Sequence, residues 1–99
     1  MYTGKMVASD EAVQMGLVSR VVPDDQVVAE ATSLAAEIAK GPPIALEFIK
    51  RITYTALSTT LEQACQYEVY SNGICHDTED HREGVRAFLE KRDAVFHGN

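Results

Sequence analysis

Apolar positions along the chain recur mainly at helical spacing. A first short segment, Ser9 to Leu17, opens on Ser-Asp-Glu, with acids where a helix N-terminus is positive, and Gly16 stands where a left-handed cap would end it. Val18, Val21 and Val22 favour extended backbone, but Pro23 stops the run. It is too short and isolated to found a sheet and reads as a connector. Asp24 or Asp25 is placed to cap the next helix, in which Val27, Ala31, Leu34 and Ile38 share one face before Gly41.

Pro42 and Pro43 break the chain and suit the first turn of a following helix, where a missing N–H costs little. Ala45, Ile49, Ile52 and Ala56 continue that helix as a stripe. Thr59 with Glu62 predicts a capping box for a helix through Leu61, Cys65 and Val69 to Asn72 or Gly73, with apolar and aromatic residues around much of its girth. Thr78, Glu79 and Asp80 begin the last helix, where Val85, Phe88 and Leu89 share a face and Lys91 and Arg92 meet the negative end. The prediction is an all-α fold, an array of about five helices joined by short connections, forming a single domain over residues 1–99.

Composition narrows the possibilities. The 99 residues are 45% apolar and 24% charged, near the globular average. The net charge of -6, with no basic run, gives no electrostatic support for binding nucleic acid or an anionic membrane. Cys65 and Cys75 lie ten apart without CxxC spacing and read as free core thiols in a reducing compartment. No stretch approaches the roughly 20 apolar residues of a membrane span, and the first residues lack the pattern of a signal peptide, so a soluble, intracellular protein is expected.

Candidate chemistry is sparse. Glu62 and Glu68 sit roughly 240° apart on a helix and cannot converge on one atom. The plainer reading makes Glu62 a cap and Glu68 a semi-buried carboxylate paired with a base. His76 and His81, with Asp77, Glu79 and Asp80 between, fit no HExxH or EF-hand pattern and read as a solvated helix start. Ser58, Thr59 and Thr60 lack a nucleophile elbow and are read as caps. Lys91 and Arg92 compensate the helix dipole, and Phe88 is core by default. No catalytic residue and no metal site is expected.

Three stretches nonetheless resemble the last third of the crotonase, or enoyl-CoA hydratase/isomerase, family: TGKMVASDEAVQMGLVSRVVP, AAEIAKGPPIALEFIK and TEDHREGVRAFLEKRDAVFHG. The last is the most specific, matching at Asp80, Glu83, Gly84, Ala87, Phe88, Glu90, Lys91, Arg92, Phe96 and Gly98. Met15 departs from the bulkier residue, often tryptophan, usual before Gly16.

The resemblance implies an enzyme with an N-terminal spiral of ββα units and a C-terminal helical region that packs in trimers or dimers of trimers. In the spiral, two backbone N–H groups stabilise a thioester enolate and one or two glutamates move protons and water. The resemblance begins at the Tyr-Thr-Gly step, just after the spiral, and the start at Met1 marks a domain boundary. The chain is therefore expected to be the helical, oligomer-forming C-terminal part of a longer enzyme, inactive alone, in the cytoplasm or, in a eukaryote, the mitochondrial matrix. Acyl-CoA is then the substrate and no cofactor is needed. What carries over by position is CoA contact by Lys91 and Phe88, reaching the ligand of a neighbouring subunit. Isomerase, dehalogenase or synthase chemistry in the parent remains an alternative to hydration, as does a non-catalytic oligomerisation module. A regulatory metal-binding bundle at His76 and His81 is a third, for which no zinc-induced stabilisation is expected.

Overall fold

In the computed structural model, which describes residues 2–99, every regular element is helical. Met1, taken above as marking a boundary, lies outside those residues. In order the helices are α1 (Ser9–Gln14), a 3-10 turn (Asp24–Gln26), α2 (Val27–Ile38), α3 (Pro43–Ala56), α4 (Leu61–His76) and α5 (Glu79–Glu90). Five α-helices and no strand among the described residues agree with the all-α expectation. The chain separates into two compact units, Met1–Leu34 and Ala35–Asn99, the division falling inside α2.

In the first unit, α1 has no side-chain cap, although Asp10 and Glu11 occupy its first turn. It stops as the sequence suggested. Met15 closes it and Gly16 takes φ +71, where a side chain would be strained. The N–H groups of Leu17 and Val18 then return to the Ala12 carbonyl, and Ala12 is the unit's one buried apolar residue among those described. Residues 18–23 form no strand. Asp24 and Asp25 do not cap α2 from outside: both lie within the 3-10 turn after Pro23, without a side-chain capping bond. The proline's φ of -54 lets the chain enter a helical turn at once, placing the acids inside it. Arg20 pairs with Glu30 on α2 at 2.6 Å.

In the second unit, Pro42 is the N-cap of α3 and Pro43 its first residue, as the proline pair predicted. The capping box of α4 is shifted by one residue from the expected Thr59–Glu62. Thr60 accepts the Gln63 N–H at 3.2 Å, and the Gln63 side chain takes the Thr60 N–H at 3.3 Å. Thr59 is unavailable because its hydroxyl donates to the Thr55 carbonyl at the end of α3. The helix also runs through Gly73 to His76 rather than stopping there. Helix α4 packs against both α3 and α5, and the helix cost of one glycine is modest beside such packing. Cys65 and Glu68, expected in or near the core, are both exposed, and Glu68 has no ion-pair partner among the described residues. Apolar groups encircle α4, but its neighbours cover only part of it.

Candidate functional site

The last twenty-odd residues are the most highly organised part of the chain. Thr78 caps α5 by accepting the His81 N–H at 3.0 Å while its hydroxyl donates to the Cys75 carbonyl at 2.7 Å. Residues after the helix fold back along it. The Asn99 main-chain oxygen accepts the N–H groups of Glu79 and Asp80 at 2.8 and 3.3 Å, serving the free donors of the first turn. Asp80, only 3% exposed, takes the His97 N–H at 2.7 Å and the Gly98 N–H at 2.8 Å. Gly98 is required on two counts: its φ is +79, and a Cβ there would lie 3.3 Å from the Pro43 ring.

One helix turn further, Glu83 accepts the Val95 N–H at 3.2 Å and a two-pronged pair from Arg92 at 2.5 and 2.9 Å. The Arg92 Nε reaches Glu90 at 2.6 Å, and its Nη1 also donates to the Asp93 carbonyl at 3.0 Å. The Arg92 hydrogen bonds, aided by the Val95 N–H, hold the Glu83 carboxyl down at about 2. The same pairing, with that to Glu90, raises the Arg92 guanidinium.

Between these polar contacts α5 ends abruptly. Lys91 adopts φ 55, ψ 42, the left-handed conformation. Its N–H bonds the Phe88 carbonyl at 3.3 Å and the Arg92 N–H bonds the Ala87 carbonyl at 3.1 Å. These two bonds make a Schellman turn with lysine in the place usually held by glycine. Ala87, 2% exposed, is the buried apolar anchor of the helix. Phe88 is not core: it is 82% exposed and, with Val85 and Leu89, lines one wall of an open groove of about 410 Å³. Pro42, Ile44 and Ala45 form the opposite wall. The groove exists because α3 and α5 both pack on or beside α4 without closing on each other.

The structure thus brings Phe88 and Lys91 to one turn at the end of α5, as their spacing required. Lys91 takes part in no ion pair among the described residues. What the residue-by-residue reading missed is the network behind them. Arg92 is a bridge between two carboxylates rather than a dipole counter-charge, and Asp80 anchors the tail rather than merely opening a helix. Spacing gave no hint, because apart from Glu90 the partners lie nine to eighteen residues apart across a turn. His76 and His81 do come together, Nδ1 to Nε2 3.1 Å apart in an edge-to-face pair. No group of three possible metal ligands forms among the described residues. Glu62 is not the N-cap partner predicted for it, since Gln63 holds that role.

The sequence model of enoyl-CoA hydratase/isomerase matches residues 1–99. The chain belongs to that family. A crotonyl-CoA hydratase from Syntrophomonas wolfei is 33% identical over 96 residues, which are 97% of this chain and 37% of the relative. An (E)-benzylidenesuccinyl-CoA hydratase from Thauera aromatica is 35% identical over 98 residues, 99% of this chain and 38% of the relative. The crystal structure of an enoyl-CoA hydratase from Bacillus anthracis superposes with a TM-score of 0.93 at 33% identity, covering 99% of this chain and 38% of that one. The chain therefore spans well under half the length of these three hydratases. Within this crotonase family frame the fold is the all-helical arrangement the resemblance implied, and no helix of the described residues is long and apolar enough to cross a membrane.

Proposed function

We propose that this chain is the C-terminal helical part of an enoyl-CoA hydratase that adds water across the double bond of a 2-enoyl-CoA, and that it supplies subunit contacts and one wall of the CoA site. The observation that carries the reading is its uncovered apolar surface. The chain exposes 8445 Å², whereas a compact 10.9 kDa monomer would expose about 5,600 Å². Counting the two units as separate compact bodies raises that expectation only to about 6,700 Å². Leu57, Leu61, Val69 and Leu89 are among the large apolar side chains left in solvent. The excess, about 1,700–2,800 Å², is comparable with the roughly 1,000–2,500 Å² that each partner gives to a permanent interface of about 2,000–5,000 Å² in total.

At the end of α5, Lys91 and Phe88 offer an ammonium unpaired among the described residues and an uncovered aromatic face one turn apart. These suit a phosphate and a planar base or acyl chain respectively, the two ends of recognition that CoA demands. The enolate-stabilising N–H groups and proton-transferring glutamates that the family uses are placed in the spiral part of the enzyme, so the 99 residues contribute binding and assembly, and no cofactor is involved. The compartment that follows is the cytoplasm or mitochondrial matrix. Isomerase, dehalogenase and synthase chemistry would use the same thioester recognition, and the residues that choose among them belong to the spiral.

The test is loss of enoyl absorbance from crotonyl-CoA. The 99-residue chain alone should give no turnover, and Lys91→Ala in the whole enzyme should raise KM about tenfold, the worth of one charge-assisted contact. Turnover by the chain alone, or an unchanged KM, would sink the assignment. The same uncovered surface favours a second reading, a non-catalytic oligomerisation module. Light scattering separates it from a free-standing domain, because a stable monomer at high concentration would contradict it.

A further inference from the structure

Only Asp77 and Thr78 separate α4 from α5. The main chain of this turn is satisfied locally: the Asp77 N–H donates to the Ile74 carbonyl and the Thr78 N–H to the Cys75 carbonyl, each at 3.2 Å. Among the described residues, the one side-chain hydrogen bond made directly from α4 to α5 joins His76 Nδ1 and His81 Nε2 at 3.1 Å. The ring centroids are 4.3 Å apart. A neutral imidazole has one N–H and one acceptor nitrogen, whereas an imidazolium has two N–H groups and no acceptor. The contact therefore stands while at least one ring is neutral. With both charged, two N–H groups would face each other and two positive rings would touch. The helix ends assign the donor. His76 is the last residue of α4, where the partial charge is negative, and His81 is the third of α5, where it is positive. The proton between the rings thus sits on His76 Nδ1, and His81 Nε2 accepts it.

No neighbour is placed to offset a second charge. Asp77 lies in the turn itself, Glu79 pairs with Arg82, and Asp80 is taken by the His97 and Gly98 N–H groups. None of these carboxylates makes an ion pair with either ring among the described residues. Arg82, next to His81, adds like charge. In the groove that His81 helps to line, α4 contributes the Cys75 thiol, while α3 and the tail contribute only apolar side chains, among them Ile44 and Phe96.

We propose that the His76–His81 pair is a pH-sensitive latch on the turn between α4 and α5, closed while one ring is neutral and open when both are charged. Opening frees the His81 side chain from its place at the groove beside Cys75 and Thr78. The Thr78 cap, which uses the His81 main-chain N–H, is left in place. Imidazoles ordinarily change charge between about pH 5 and 8, so the latch is present at the alkaline end of that range and lost at the acid end. It does not depend on the reading of Lys91 and Phe88 as CoA contacts.

The experiment is NMR on the full chain at pH 8 and pH 5, with the histidine rings assigned through bonds in the parent. Both conditions lie above the window in which Glu83 titrates. Nuclear Overhauser contacts between the two rings should be present at pH 8 and lost at pH 5. The His81 main-chain N–H should keep its protection from exchange at both. Thermal melting of His76→Gln and His81→Gln supplies a second readout. Acidification over the same range should lower the parent's midpoint by about 4 °C more than that of either variant, the worth of one hydrogen bond in a chain of this size. His97 is common to all three chains and cancels. Ring contacts that persist at pH 5, or that are missing at pH 8, overturn the proposal. So does an acid loss that is equal in the parent and both variants. Should a variant fail to fold, the ring contacts decide, because they are read in the parent.

Discussion

The last two helices are completed in opposite ways. Every free end of α5 is met by the chain itself: Thr78 and the Asn99 oxygen at the start, the Schellman turn at the finish, and Asp80 and Glu83 gripping the returning tail. Helix α4 has a sound capping box, but among its sixteen residues only Ser71 is buried, and Val69, Tyr70 and Ile74 face solvent. Polar contacts at its own ends and from the tail that folds back on it complete one helix from within the chain. The other carries apolar surface that becomes favourable only when something outside these residues covers it. A single chain thus holds one element whose ends it completes itself and one whose apolar surface it leaves uncovered.

The contrast is most sharply broken at Asp80. Asp80→Ala strands two main-chain N–H groups in a buried setting and should destabilise the chain by about 2–3 kcal/mol, read by chemical denaturation. If the cost is near zero, the tail is not what completes α5. Gly98→Ala forces a left-handed side chain against Pro43 and should cost about 1–2 kcal/mol in the same measurement. On the α4 side, Thr60→Ala removes the capping box and should cost about 1 kcal/mol, whereas Thr59→Ala, despite its similar setting in sequence, should cost less.

The Glu83–Arg92 pair gives a pH signature. Glu83 is held at about 2 in the folded chain, against 4.5 ordinarily. Its contribution is therefore fully present above about pH 4.5 and is lost as pH falls towards 2. Melting midpoints of the parent and of Glu83→Gln should converge over that window. Parallel curves would mean that the pair contributes nothing in solution, as exposed pairs sometimes do. The smallest effect should come from Val69→Ser on α4, within about 0.5 kcal/mol for the chain alone because the side chain is already in solvent. Its consequence should appear instead as weaker self-association in sedimentation.

Much of the secondary structure was legible because its signals are local. The proline pair before α3, Thr78 before α5 and Gly16 after α1 each act through their own backbone geometry, and each stands where the pattern put it. Where two neighbours offered the same signal, sequence could not choose. Thr59 and Thr60 both precede a plausible third-position partner, and the end of α3 decided between them by engaging the Thr59 hydroxyl. Gly73 was misread as a stop because a glycine's modest helical cost does not by itself end a helix that packs against its neighbours.

The candidate site divides along the same line. Phe88 and Lys91 could be paired from their three-residue spacing and from the resemblance to the enoyl-CoA hydratase/isomerase family. The burial of Asp80, the exposure of Phe88 and the bridging role of Arg92 could not, because each depends on where the chain goes after it turns back at Lys91. By itself the sequence determined the helices, their main punctuation and the family, since those depend on patterns a few residues long. Only the tertiary structure decided which apolar faces remain open and which charges are paired with one another. Burial and ion pairing are set by distances between segments, and no local pattern encodes a distance that a left-handed turn creates.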